Sequence, residues 1–198
     1  MGTDTFLPEP AELSAEGQAL YDEDVADEGY VMNLSRMWAH DAATSDKLFD
    51  LLAHVAEVGG LSFRDRGILV LSTASTLGDG YCSLAWGKKI ATTYDADLAA
   101  AILAGKDDVL DERERALAAW ARKIASDPNA TTADDVQALR DVGYDDRQIL
   151  ALTTYAALRL AFSTVNDALG ARPDAQMRDS VPQQVRDTVT WGRPIADA

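Results

Sequence analysis

The stretch "SFRDRGILVLSTASTLGDGYCSLAWGKKIA", residues 62 to 91, sets the fold class. Ser62 is placed to cap a helix, and from Gly67 to Leu77 every residue is apolar or small, as expected for a helix enclosed by others. Gly78 and Gly80 break it, because glycine tolerates backbone angles that other residues avoid. A second helix then resumes, and its first turn holds Cys82, the sole cysteine of the chain.

Helical periodicity continues on both sides of this pair, with no series of alternating β-branched runs. The chain is therefore predicted to be all-α, a bundle of about seven to nine helices. Upstream, "AELSAEGQALYDEDVADE" reads as a first helix that starts near Ser14 or Glu12 and ends at Gly29. "NLSRMWAH" reads as a short helix capped by Asn33. "ATSDKLFDLLAHVAEV" reads as a longer one with Leu48, Leu51, Leu52 and Val55 on one face and Gly59 and Gly60 at its end. Downstream, "DADLAAAILAG", "DERERALAAWARKIAS", "TADDVQALRDVG" and "DDRQILALTTYAALRLAFSTVNDALG" each begin with acidic or hydroxyl residues, and most end at glycine. Beyond Gly170 three prolines interrupt the pattern. The reading is an extension with a first helix (1–29), a helical domain (30–171) and a tail (172–198) lying over the domain or a neighbouring subunit, with one short helix around residues 179 to 190.

A chain of 198 residues suits one core rather than two domains. Its net charge of −15 repels phosphate backbones and anionic lipid surfaces, so neither nucleic acid nor membrane is an expected partner. No apolar run approaches the ~20 residues of a membrane span, and the acidic, proline-punctuated start lacks a secretory pattern, so the expected compartment is the cytoplasm. One cysteine excludes an intrachain disulfide and a Cys-based zinc cage, and two histidines without H-x-x-x-H spacing leave no metal set. No glycine-rich phosphate loop and no Ser-His-Asp order occurs, so no cofactor is expected.

Residues 61–91, together with "NLSRMWAH", "LDERERALAAWARKIASDPNATTADDVQALRDVGYDDRQILALTTYAALRLAFSTVNDALGA" and their spacing, cover about residues 30–171. In this order the segments resemble the alkylhydroperoxidase D and carboxymuconolactone decarboxylase superfamily, especially its peroxidase-related branch. The resemblance implies an alkylhydroperoxidase D-like helical bundle that assembles as a homo-oligomer. In peroxidase members the working motif is a Glu, eleven residues, Cys-x-x-Cys, three residues and a His; the second cysteine attacks the hydroperoxide and the first resolves the sulfenic acid. Aligned on "GDGYC", Gly67 stands at the Glu, Asp79 at the first Cys, Cys82 at the second and Trp86 at the His. The attacking position alone is kept.

The resemblance thus implies that Cys82 is a peroxidatic thiol acting on a small-molecule hydroperoxide, with an external thiol as reductant. The residues themselves also allow a quieter reading. Cys82 at a helix start can gain thiolate character from free N–H groups, or it can be a small buried filler. Asp79 can act in catalysis or simply cap the helix, and an ionised Asp79 would raise the thiol pKa. Trp86 either plugs the space of the missing imidazole or walls a pocket for an apolar ligand, with Tyr81 and Trp38 as further walls. His40 is the candidate substitute base, against a local hydrogen bond as the alternative, while His54 reads as surface or structural. Tyr30, Asn33 and Arg36 cluster beside the same segment and could face the pocket. A binding protein on the same scaffold is the second functional reading. Lactone decarboxylation, anchored by Arg64, Arg66 and His40, is the third.

Overall fold

The computed structural model describes residues 4–197, and among these the regular structure is helical, with no β-strand. Helix α1 (Ala15–Glu28) starts where the Ser14 hydroxyl accepts the Gly17 N–H at 3.0 Å. It is followed by α2 (Asn33–Trp38) and α3 (Ala42–Gly59). Next come α4 (Phe63–Leu77), α5 (Gly80–Thr93), α6 (Ala96–Leu103), α7 (Glu112–Ser126), α8 (Ala133–Asp141) and α9 (Asp146–Ala168). Two short helices, α10 (Met177–Ser180) and α11 (Gln183–Thr188), complete the described chain. Eight of these helices have eight residues or more, in agreement with the all-α bundle expected from periodicity.

Helix α4 is the axis of the bundle. Ser62 and Asp65 form a capping box that closes its first turn, and every residue from Gly67 to Ala74 is buried against α5, α7 and α9. Enclosure stops there, since Leu77 is exposed as the helix leaves the core. Gly67 is small for a packing reason. A Cβ at this position would lie 2.2 Å from Ile90 Cδ1 of α5, so the crossing of the two helices depends on its absence.

Helix α9 is the second core element and packs along α3. By length and mean hydropathy it is also long and apolar enough to cross a membrane, which the sequence reading missed because Arg159 interrupts its apolar run. In the fold it is an interior helix whose buried face runs through Leu152, Tyr155, Ala156, Arg159, Ser163 and Asn166.

Two local expectations need correction. Asn33 is not the cap of α2. It is the first helical residue, and its N–H is donated instead to the Asp174 carboxylate at 2.6 Å. Leu51 is exposed, so the buried stripe of α3 runs through Leu52, Val55 and Ala56. The segment after Gly170 lies over this chain's own helices, with Met177, Val181 and Val185 buried and α11 seated on α5 and α6. Gly87 makes room for it, because a Cβ there would stand 2.5 Å from Val185 Cγ1.

Candidate active site

The site is built at the α4–α5 reversal. Gly78 ends α4 at φ 82, a left-handed conformation that glycine adopts without a Cβ clash. Gly80 serves differently: a Cβ on it would meet the Trp191 carbonyl at 2.9 Å, so it permits the close approach of the C-terminal segment. Between them, extended Asp79 caps α5, its Oδ1 accepting the Cys82 N–H at 2.9 Å. This bond fixes Cys82 in the first helical turn. The other oxygen, Asp79 Oδ2, is buried and has no hydrogen-bond partner.

The Cys82 sulfur faces α9. Arg159 Nη2 donates to it at 3.5 Å and the Ser163 hydroxyl lies 3.6 Å away, four residues and one helical turn further along the same face. Arg159 is only 5% exposed, and among the described residues no carboxylate forms an ion pair with it. Its Nε has no acceptor. The guanidinium instead lies 5.6 Å from the Trp86 ring centroid and 5.1 Å from that of Phe162, both within cation–π range.

These surroundings set the thiol's protonation. Burial is the main influence raising the Cys82 pKa, and the Asp79 carboxylate adds to it, while Arg159 and Ser163 act in the opposite direction. The net shift is upward, so the resting sulfur is a thiol. Cys82 therefore gains no net thiolate character from its place at the helix start, because the Asp79 charge occupies the cap and the dry surroundings penalise a thiolate.

The sulfur is not sealed among hydrocarbon side chains. It borders a cavity of about 410 Å³ lined by Tyr81, Cys82, Trp86, Arg159, Phe162 and Trp38. Exposed Glu23, Asp27, Asp46, Phe49 and Lys89 mark its mouth. Trp38 stacks on Phe162 at 5.5 Å and donates through Nε1 to Asn166 Oδ1 at 2.8 Å, while Trp86 stacks on Phe63 at 5.6 Å. Trp86 is thus a wall of an open cavity.

Of the residues singled out in the sequence, Cys82, Asp79, Tyr81, Trp86 and Trp38 come together here. Tyr81 contributes its ring, because its hydroxyl is committed to the Asp174 carboxylate. His40 does not take part. It is exposed on a 3-10 turn, and its Nε2 lies 2.8 Å from the Pro8 carbonyl, which can only accept, so that nitrogen carries a proton for a local bond. Gly67 faces Ile90 rather than the cavity. Tyr30 and Asn33 stand on the side of Asp174, away from the cavity lining. There the Tyr30 phenol pKa is raised by burial and the Asp174 charge, and Asn33 Nδ2 donates to the Arg172 carbonyl at 3.1 Å. Arg64 pairs with Glu114, and Arg66 lies over the Phe63 ring, so neither reaches the cavity.

Arg159, Phe162 and Ser163 were not foreseen. The available signal was a lone arginine inside the apolar run "YAALRLAF", in phase with Leu152, Tyr155 and Ala156 on the helix face. A charge on the buried stripe of a core helix is expensive unless something uses it.

No protein-family model and no curated protein matches the chain. Solved structures do. An uncharacterized peroxidase-related protein from Silicibacter sp. TM1040 superposes with a TM-score of 0.78 at 20% identity over 90% of this chain and 96% of that one. An uncharacterized peroxidase-related protein from Ralstonia eutropha JMP134, described as an alkylhydroperoxidase AhpD core, gives 0.77 at 22% identity over 89% and 96%. The debrominase Bmp8, as a cysteine-to-alanine variant in complex with 2,3,4-tribromopyrrole, gives 0.63 at 16% identity over 88% and 90%. The chain has the fold of the alkylhydroperoxidase D core.

Proposed function

We propose that the protein is a one-cysteine thiol oxidoreductase that reduces small apolar hydroperoxides. The observation that carries this reading is the Cys82 sulfur held 3.5 Å from an unpaired guanidinium at the edge of an aromatic cavity. The missing Glu and His relay leaves two tasks, accepting the thiol proton and stabilising developing negative charge. Asp79 Oδ2, a buried acceptor without a partner beside the thiol, is suited to the first. Arg159 is suited to the second.

In this reading the organic group of the hydroperoxide rests against Trp86 and Phe162. Asp79 takes the S–H proton as the sulfur attacks the distal peroxide oxygen. The O–O bond breaks, the sulfur gains an S–O bond as a sulfenic acid, and the departing alkoxide, held by Arg159, takes the proton from Asp79 and leaves as the alcohol. An external low-molecular-weight thiol then attacks the sulfenic sulfur and releases water, giving a mixed disulfide. A second thiol restores Cys82 and carries away the disulfide.

The test is steady-state consumption of cumene hydroperoxide with dithiothreitol as reductant, by the protein and by its Cys82→Ser variant. Turnover that the variant lacks, and that exceeds the turnover of hydrogen peroxide, is the expected result. Consumption no faster than that of the variant overturns the reading. A ligand-binding protein on the same scaffold is the second reading, favoured by the burial that keeps Cys82 protonated. The decarboxylase reading loses its expected anchors, since Arg64 pairs with Glu114, His40 bonds the Pro8 carbonyl, and none of Arg64, Arg66 and His40 lines the cavity.

A further inference from the structure

The charge balance of the cavity identifies a ligand class. Arg159 is nineteen-twentieths buried, it has no carboxylate partner among the described residues, and its Nε is without an acceptor. The one hydrogen bond found for it goes to a sulfur that burial keeps neutral. A buried cation that is neither paired nor fully hydrogen-bonded is costly, and a guanidinium presents its remaining N–H groups as a planar fork matched to a carboxylate. Flat apolar walls flank that fork: the Trp86 and Phe162 rings lie within 5.6 Å of the guanidinium carbon, and Trp38 stacks behind Phe162.

We propose that the cavity binds small aromatic monocarboxylates, with the carboxylate on the free edge of Arg159 and the ring against Trp86 and Phe162. The proposal rests on the preceding reading for the choice of site, and it concerns binding alone. The cavity of about 410 Å³ has room for a ligand of one or two rings. The mouth adds a restriction. Exposed Glu23, Asp27 and Asp46 line it together with Lys89, and Asp24, largely buried and accepting the Met32 N–H, adds a further carboxylate to the lining, so a second negative charge on the outer end of the ligand meets carboxylates in excess. The site therefore selects one anionic group at the floor and rejects dianions.

Isothermal titration of the full chain with sodium benzoate, benzamide and terephthalate tests this. Benzoate is expected to bind at least about 30-fold more tightly than its neutral isostere benzamide, and more tightly than terephthalate, because a charge-assisted bidentate pair is replaced by neutral hydrogen bonds or opposed at the mouth. Arg159→Gln should abolish the preference for benzoate over benzamide, while Cys82→Ser should retain it. Equal binding of benzoate and benzamide by the unaltered protein, or no benzoate binding at millimolar concentration, overturns the proposal without any variant having to fold. Benzoate binding by a protein that turns over no hydroperoxide would retain the ligand class and reject the redox reading, so the two fail separately.

Discussion

Replacing Arg159 by methionine isolates the positive charge beside the Cys82 sulfur. Coulomb's law at an effective dielectric constant of about 20 gives roughly 5 kcal/mol for unit charges at the 3.5 Å that separates Nη2 from Sγ. Water entering the cavity reduces this, so a loss of about 1.5–3 kcal/mol of thiolate stabilisation is the working figure, or an upward shift of about one to two pKa units. Methionine fills the arginine stem and removes an unpaired buried charge, so the folded state should be retained or modestly stabilised. The assay is the pseudo-first-order rate of Cys82 alkylation by iodoacetamide between about pH 7 and 10, followed by intact mass, with a thermal melt as folding control. Because the rate follows the thiolate fraction, Arg159→Met should react about 10- to 100-fold more slowly at each pH. An equal or faster rate in a folded variant would refute the assignment of Arg159 as the group that supports the thiolate.

Asp79→Asn should act in the opposite direction in the same assay. The amide oxygen can still cap α5 while the charge that raises the thiol pKa is gone, so alkylation should accelerate about 10-fold or more. Gly67→Ala should lower stability by about 1–3 kcal/mol in denaturant unfolding, through the clash with Ile90 Cδ1, and Ile90→Ala should cost less in that background than in the unaltered chain, because the new methyl fills part of the space it leaves. Asp174, pushed up to about 6 mainly by burial, holds its proton in the folded chain between about pH 4 and 6 while the unfolded chain has released it. Stability should accordingly fall as pH rises through that window, by up to about 3 kcal/mol from this group, and Asp174→Asn should flatten the slope in unfolding titrations.

The fold could be read in the sequence because its signals are local. Ser62 with Asp65, Asp79 with Cys82, and Asp145 with Gln148 are caps whose spacing is visible in the chain, and the apolar stretch from Gly67 gave the central helix directly. The site was legible on one side only. The Asp79–Cys82–Trp86 segment is contiguous, whereas the groups completing it sit on α9, 77 and 81 residues away in the bonds from Arg159 and Ser163 to the sulfur. Sequence order offers no way to pair these faces, and the family resemblance, with only two histidines to choose from, pointed instead to His40, which the N-terminal segment engages at the surface. The C-terminal tail was expected over the domain or a neighbouring subunit, and the sequence left that choice open for a related reason. Its burial depends on Gly80 and Gly87 admitting Trp191 and Val185, a contact with no periodic signature.

The most direct measurement of the central claim, that Cys82 is a working thiol served by its cavity, is sulfenic-acid trapping in the folded protein. One equivalent of cumene hydroperoxide is added in the presence of dimedone, and the adduct is located by peptide mass spectrometry. A dimedone adduct on Cys82 should form in native buffer and be suppressed by saturating benzoate. An adduct that appears only after denaturation would contradict the claim.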